Sequence, residues 1–470
     1  MKRQFRPCVL IVMLGAVLCV WAQDETPPSA SAPAPASAPS EEPAPTQSTG
    51  PKPEYTQIDP GKSLDFLSEA VGRSNLSLGF NFQAGYDTNI AAFSPQRLSQ
   101  TSYVLGPHIG ITQLRPKLGL NLSYDGGLGI YQQLPNSNTY NQTATGDIIY
   151  QFSSHWQGHA ADRYTYSANP FGSYFTIIGQ PSPSDPNPNT YVPFADTNQN
   201  VVSADLSYQL SRYDTITFTG SQSFRRYSNY SNTFTFATGL YNMISYSGGA
   251  NYSHRFSAQL SAGGGYNFTS LDFSHGQQRS GISAIQGFVN YQMSKSFSIS
   301  GWAGPEYITA KTIIPYFGRY YILLQDDWVP AFGINLGWQG LRQSFTAGLS
   351  RQVSDGGGLL ATTTVYDVNA AYRRKLTARM DGWASIQYGN NNSFAATNLN
   401  RQLFPDRKFT LLQAIFQLNR PITPQVVASL GYSYIRETQK NIYVIQATPA
   451  YNDNRIWFNI QYTWNHPLGL

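Results

Sequence analysis

Hydrophobic and polar side chains alternate along residues 74 to 88. One parity holds Leu76, Leu78, Phe80, Phe82, Ala84 and Tyr86, and the other holds Asn75, Ser77, Asn81, Gln83 and Asp87. Because successive side chains of a strand point to opposite faces, this pattern predicts a β-strand with one apolar and one polar face. Segments of the same kind, each about a dozen residues long, recur to the C-terminus, and counting them at period two predicts about 18 strands.

The connections between these segments fall into two kinds. Short turns, many carrying Arg or Lys, alternate with longer polar loops. The longer loops include residues 91–100, 167–199, 308–325, 389–406 and 437–454. Short turns on one side and long loops on the other are typical of bacterial outer-membrane barrels, whose turns lie in the periplasm. The sequence therefore predicts an all-β fold, a transmembrane up-and-down antiparallel β-barrel with both termini in the periplasm.

The N-terminal part predicts export. Residues 1–22 combine basic residues, an apolar run over residues 9–20 and a small-residue cleavage site ending at Ala22, as in a secretory signal peptide. Cys8 and Cys19 are the two cysteines of the sequence and both lie there, so no disulfide is expected after cleavage. Residues 23–73 form a linker rich in Pro, Ala and Ser, with a short helix predicted over residues 63–72. Residues 74–470 form the predicted barrel, and the predicted location is the bacterial outer membrane.

Composition supports a barrel over other membrane and binding classes. Charged residues make up 12% of the 470 residues, and the mean hydropathy is −0.33. A helical membrane protein needs runs of about 20 apolar residues, and none follows the N-terminal segment. The 31 Lys and Arg residues, three of them in the predicted signal peptide, nearly balance 26 acidic residues. They form no basic cluster, so no nucleic-acid partner is expected.

No motif predicts an enzyme, a metal or a cofactor. The sequence Gly61-Lys62-Ser63 lacks the upstream glycine of a phosphate-binding loop, and no G-x-S-x-G motif occurs. His155 and His159 are four residues apart, which places them about 13 Å apart on a strand. Linear spacing does leave open a hydrolase built from serine, histidine and asparagine on barrel strands, although nothing in the sequence favours one.

If the apolar face meets lipid, several charged side chains point into the lumen. The predicted inward charges are Asp125, Asp147 and Asp205 near mid-height, and Arg342, Arg373 and Arg379 near the periplasmic rim. Opposed charges of this kind would set a transverse field across a water-filled pore and tune its ion selectivity. The alternative is that these charges are solvated or pair with neighbours, and Asp367 and Asp381 on the basic side favour it.

Two segments carry further predictions. The loop at 167–199 either packs inside the barrel as a constriction or forms a proline-stiffened surface loop. The constriction residues would be Phe175, Ile177, Asp185 and Asp196. In the strand predicted at 156–166, strict alternation turns either Asp162 or Arg163 toward lipid, so a β-bulge is expected there.

The chain resembles the β-barrel porin families of bacterial outer membranes, especially the porin-2-like group that includes barrels from exopolysaccharide operons. The resemblance rests on residues 85–90, Gly-Tyr-Asp-Thr-Asn-Ile, and on a repeated turn phrase of Tyr or Phe followed by Arg or Lys. It implies an outer-membrane channel or an accessory of polysaccharide export, without a known catalytic residue set. Many such barrels end in an aromatic residue read by the barrel-assembly machinery. Here Tyr462 and Trp464 are the candidates, and six residues follow Trp464.

The leading hypothesis is a porin-like channel for passive passage of small polar solutes. Its partners would be outer-membrane lipid, the assembly machinery, and either small solutes or polysaccharide. The alternatives are an accessory to exopolysaccharide export and a structural or adhesive barrel. Homo-oligomerisation is left open by the sequence.

Overall fold

The computed structural model describes ten ranges of the chain. They are residues 74–89, 99–132, 139–167, 196–228, 241–273, 278–316, 319–357, 360–393, 408–440 and 450–468. The predicted signal peptide and linker lie outside these residues. Among the described residues, no helix is long and apolar enough to cross a membrane.

Eighteen strands make up the described fold. The first nine are β1 (Asn75–Asp87), β2 (Gln100–Arg115), β3 (Leu118–Tyr131), β4 (Thr139–Gln151), β5 (Trp156–Ser167), β6 (Asp196–Gln209), β7 (Asp214–Ser228), β8 (Met243–Arg255) and β9 (Leu260–Phe273). The second nine are β10 (Gln278–Ser294), β11 (Phe297–Tyr316), β12 (Arg319–Gln339), β13 (Gln343–Gly356), β14 (Leu360–Thr377), β15 (Met380–Ser393), β16 (Lys408–Thr423), β17 (Val426–Lys440) and β18 (Ala450–Pro467).

The sheet closes on itself. Each strand pairs antiparallel with its neighbours in the sequence, and β1 pairs with both β2 and β18. The closing register runs from Asn75 opposite Pro467 to Asp87 opposite Arg455. Closure joins the first and last strands, so neither of them is left as a free edge, as a sheet needs inside a bilayer. The predicted 18-stranded up-and-down barrel is therefore confirmed.

The two faces of the wall differ in polarity. On β1, Leu78, Phe80 and Tyr86 are exposed on one face, whereas Gln83 and Asp87 are buried on the other. The same division holds around the barrel, so the apolar outer face suits lipid and the polar inner face lines a lumen.

The two ends of the barrel also differ. Adjacent strands meet in short turns at one end, for example at residues 116–117, 295–296 and 424–425. Aromatic rings lie beside these turns: Phe152, Tyr213 and Phe256 are exposed there, as expected for an interfacial girdle. β1 begins and β18 ends at this short-turn end.

One predicted loop is wrong. Residues 308–325 were expected to form a long loop, but β11 and β12 pair continuously from Ile308 opposite Asp327 to Tyr316 opposite Arg319. The stretch contains several Ile, Tyr and Thr residues, which favour strands. The hairpin therefore extends well past the neighbouring strands.

The predicted β-bulge in β5 is also wrong. The β4–β5 register runs without a shift from Asn141 opposite Ser167 to Gln151 opposite Gln157. Asp162 consequently lies on the outer face, where Asn200 Nδ2 donates to its Oδ1 at 2.6 Å. A cross-strand amide thus supplies a hydrogen bond that reduces the cost of a carboxyl group on this face.

Candidate functional site: the lumen and its hairpin

The wall opens locally between β12 and β13. Their register runs from Gln339 opposite Ser344 to Phe332 opposite Arg351 and ends there. The rest of β12, residues 319–331, pairs with β11 alone. Beyond Arg351, the β13–β14 hairpin is therefore not held in the wall on its β12 side.

Burial shows where the end of this hairpin goes. Phe345 and Leu349 of β13 are 36% and 40% exposed on the outer face. Val353 and Asp355 have the same parity but are only 8% and 1% exposed. A strand that stayed in the wall would turn these two side chains toward lipid. The strand end has instead bent into the lumen, so that its former outer face packs against the inner face of strands β7 to β12.

Contacts across the lumen show the same displacement. Arg225 Nη1 on β7 lies 3.1 Å from Asp355 Oδ1, and the Tyr227 hydroxyl donates to the Gly357 carbonyl at 2.8 Å. Ser280 on β10 and Thr362 on β14 share a hydrogen bond of 2.6 Å between their hydroxyls. β7 and β13 are six strands apart, or roughly 29 Å of wall at about 4.8 Å per strand. These contacts can form only if the hairpin end crosses the interior.

We call this element the lumen hairpin and define it as residues 353–357 and 360–362. Its turn side contains Gly357, which has a φ of 61°, a conformation that glycine adopts at little cost. The register shifts between Asp355 and Gly356, which bends the strand where it enters the lumen. Glu306 Oε2 accepts a hydrogen bond of 2.8 Å from the Val353 amide, a donor that β12 would satisfy in a regular wall.

An apolar cluster anchors the lumen hairpin. Val353 and Ala361 pack with inner-face residues of five wall strands, namely Met243, Leu271, Phe273, Ile282, Ile308 and Val329. Burial of this kind is worth about 1.5 to 3 kcal/mol for each large side chain. The side chains of the Arg225–Asp355 pair, which also joins the hairpin to the wall, are 8% and 2% exposed, so removing one charge leaves the other in a poorly solvated site.

The three predicted lumen aspartates lie on the inner face of the early strands, beside histidines. Asp125 Oδ1 is 2.7 Å from His108 Nδ1. Asp147 Oδ2 and Asp205 Oδ1 lie 2.7 and 2.8 Å from the two ring nitrogens of His159. The sequence pattern did not reveal these histidines as partners, because the partnership depends on strand register.

The three predicted arginines are placed differently. Arg373 is buried on the inner face and bonds Asp381 Oδ2 through Nη2 at 2.8 Å. Arg342 and Arg379 are exposed in the short turns at 340–342 and 378–379. Arg373 is thus paired with the neighbouring Asp381. This is the local pairing expected from the alternative to a transverse field across the pore.

The predicted constriction loop is described only at its ends. Phe175, Ile177 and Asp185 lie outside the described residues. Asp196 is the first residue of β6, and its Oδ2 accepts a hydrogen bond of 3.2 Å from the Tyr166 hydroxyl. Within the described residues, the segment that crosses the lumen is the lumen hairpin, whose sequence signal is the glycine run at residues 356–358.

The remaining predicted site residues lie on the last strand. Tyr462 and Trp464 are exposed on the outer face of β18, and the Trp464 ring stacks on His466 with centroids 5.3 Å apart. In the described parts of the strands and turns, no three His, Cys, Asp or Glu side chains come together in a metal-binding arrangement.

A closed 18-stranded barrel with an apolar exterior and a polar lumen defines a transmembrane β-barrel of the outer-membrane type. Solved barrels resemble it only distantly. Pseudomonas aeruginosa OpdL is 12% identical, with 83% of this chain and 99% of that chain covered and a TM-score of 0.41. P. aeruginosa OccK2 (OpdF), solved in complex with glucuronate, is 8% identical, with 83% and 98% covered and a TM-score of 0.41.

Acinetobacter baumannii OccAB4 is 11% identical, with 84% of this chain and 99% of that chain covered and a TM-score of 0.41. Likeness at this level carries no argument about the solute or mechanism of this chain. No protein-family model matches the chain, and no curated protein matches it.

Proposed function

We propose that the chain is an outer-membrane channel for passive passage of small polar solutes, and that the lumen hairpin narrows its path. The observation that carries this proposal is the Arg225–Asp355 contact across the barrel interior. A barrel of about 18 strands is wide enough for an aqueous path unless an inserted segment narrows it. A hairpin bent out of the wall and fixed to strands as far away as β7 supplies such a segment.

The lumen charges set the expected selectivity. The inner face of β3, β4 and β6 carries Asp125, Asp147 and Asp205 in hydrogen-bond contact with histidines. Asp125 is half exposed and so can interact with a passing ion. We expect a preference for cations over anions, because charged side chains lining a pore attract counter-ions.

The proposed orientation places the short-turn end in the periplasm and the β11–β12 hairpin outside. Tyr462 and Trp464 on the last strand would then be read by the assembly machinery from the periplasm. The short turns at this end support the orientation, because outer-membrane barrels have short turns in the periplasm and longer loops outside.

Planar-bilayer conductance of the refolded chain tests the channel. Discrete ohmic steps with a cation preference are expected. A barrel that is shown to be folded by heat-modifiable migration, but that carries no current, would contradict the proposal.

A second candidate is an accessory to polysaccharide export or a structural barrel. One observation favours it: many inner-face side chains toward the long-loop end are buried, including Gln83, Gln100, Asn391 and Glu437. A lumen filled by side chains near the long-loop end would conduct poorly. Silence of the folded barrel in bilayers would therefore shift the assignment to this candidate.

A further inference from the structure

Three side chains on the lumen face of β1, β2 and β3 form a chain of hydrogen bonds. Ser77 Oγ lies 3.4 Å from His108 Nε2. On the other side of the ring, His108 Nδ1 lies 2.7 Å from Asp125 Oδ1. A hydroxyl at Nε2 and a carboxylate at Nδ1 are the arrangement in which a histidine activates a serine nucleophile, and this arrangement is recognised by geometry rather than by sequence order.

The strand register builds this arrangement. His108 is directly opposite Asp125 in the β2–β3 pair, so their side chains meet on one face. Ser77 is opposite Gly110, two residues from His108. A Cβ at Gly110 would collide with Ser77 Oγ, and one at Gly79 would lie 3.3 Å from His108 Cβ. The absence of side chains at both glycines lets serine and imidazole approach each other.

The three residues are accessible from the lumen. The side chains of Asp125 and His108 are 50% and 24% exposed, in contrast to the buried inner-face residues Gln83 and Gln100 farther toward the long-loop end. A small solute in the lumen can therefore reach the imidazole and the hydroxyl.

We propose that Ser77, His108 and Asp125 form a catalytic triad that hydrolyses small carboxylic esters in the lumen. Ser77 Oγ attacks the ester carbonyl while His108 Nε2 takes the hydroxyl proton. The C–O bond to the alcohol breaks, and His108 returns the proton to the leaving alkoxide, which gives the free alcohol and an acyl-Ser77 ester. Water, deprotonated by His108, then attacks the acyl ester. The acyl C–O bond to Ser77 Oγ breaks and His108 returns the proton to Oγ, which gives the carboxylic acid and regenerated Ser77. Asp125 orients the ring and stabilises the imidazolium.

Charge on the tetrahedral intermediate needs hydrogen-bond donors. β1 pairs on both sides, with β2 and β18, so its backbone amides are used in the sheet. A side chain must then supply the donor. Asn75 lies two residues from Ser77 on the same face, about 7 Å along the strand, and we assign its side-chain amide as the donor to the oxyanion.

The same lumen contains a matched control. His159 also contacts carboxylates, but Asp147 and Asp205 occupy its two ring nitrogens, with no hydroxyl in the serine position. This cluster also places a histidine beside carboxylates on the lumen face, with two carboxylates rather than one and without a nucleophile. Loss of His159 should therefore leave ester hydrolysis unchanged.

The test uses the refolded chain with p-nitrophenyl acetate as substrate and a fluorophosphonate as a covalent probe. We expect hydrolysis that falls at least about 100-fold in Ser77→Ala and His108→Gln and stays unchanged in His159→Gln. The probe should attach at Ser77, as located by peptide mass spectrometry. Asn75→Leu should lower kcat more than it raises KM. Heat-modifiable migration of every variant checks that the barrel has folded.

Equal rates for the unsubstituted chain and Ser77→Ala would overturn the proposal, as would probe attachment at another residue. A pH–rate profile that His108→Gln leaves unaltered would overturn the assigned role of His108. None of these outcomes depends on conductance, so the test is independent of the proposed channel function.

Discussion

Asp355→Asn is the substitution that most directly probes the lumen hairpin. It keeps the shape of the side chain and removes the carboxylate charge opposite Arg225, 3.1 Å away in a site where both side chains are almost fully buried. Removing one partner of such a pair costs about 3 to 5 kcal/mol. Since every 1.4 kcal/mol is a factor of ten, the equilibrium between docked and released hairpin should shift roughly a hundred- to several-thousand-fold toward release.

The assay is single-channel conductance in planar bilayers. A released hairpin should raise the mean conductance or add large, slow current fluctuations, because the inserted segment leaves the conducting path. Combining Arg225→Asp with Asp355→Arg should restore part of the original behaviour, since the pair reforms with exchanged charges.

Asp381→Asn is the matched control. Arg373 and Asp381 form a pair with similar burial, 3% for both side chains, at 2.8 Å, but they lie on neighbouring strands of the wall. The control should lower the urea midpoint of unfolding without changing conductance. If Asp355→Asn and Asp381→Asn both leave conductance and its noise unchanged, the hairpin does not narrow the path.

Two further predictions concern selectivity and assembly. Asp147→Asn combined with Asp205→Asn should lower the K⁺ to Cl⁻ permeability ratio, measured from the reversal potential in a KCl gradient, because two lumen carboxylates are lost; Asp162→Asn on the outer face should leave that ratio unchanged. Trp464→Ala should reduce the heat-modifiable, membrane-inserted fraction of the protein in cells if the assembly machinery recognises the exposed ring on β18. Insertion at the unsubstituted level would contradict this role of Trp464.

Alternation in the sequence was sufficient to predict the wall. The parity of Leu78, Phe80 and Tyr86 identified the outer face, and it also placed Asp125, Asp147 and Asp205 on the inner one. The prediction of the wall succeeds because side-chain direction in a strand depends only on local geometry.

Parity alone could not predict the lumen hairpin. It assigns Val353 and Asp355 to the same face as Leu349, which is the outer face for as long as the strand stays in the wall. Their burial depends on Arg225 and on wall strands up to six positions away. The pattern of residues within a single strand does not predict those contacts. The triad on β1, β2 and β3 was missed for a related reason, because Ser77, His108 and Asp125 meet through the registers of two strand pairs.

The two long strands beside the hairpin were misjudged for a different reason. In the alternation of short turns and longer polar loops, residues 308–325 held the position of a long loop. Pairing of β11 with β12 instead includes residues 308–316 and 319–325. The extended β12 then leaves β13 near Phe332, which opens the side of the wall from which the hairpin enters the lumen.

Disulfide trapping tests the position of the hairpin most directly. The sequence has cysteines only at positions 8 and 19, so an introduced pair is readily assigned by mass spectrometry and by a gel shift without reductant. Ser280→Cys with Thr362→Cys replaces two hydroxyls 2.6 Å apart on β10 and β14. Ser221→Cys with Ser247→Cys, on the neighbouring strands β7 and β8 and also 2.6 Å apart, is the positive control.

We predict that both pairs oxidise in the folded barrel to similar extents, and that oxidation of the Ser280–Thr362 pair leaves conductance unchanged because it locks the hairpin where it already lies. Strands four positions apart are separated by roughly 19 Å of wall. If the control pair oxidises and the Ser280–Thr362 pair does not, the hairpin does not lie inside the lumen. That result would also contradict the proposed narrowing of the channel.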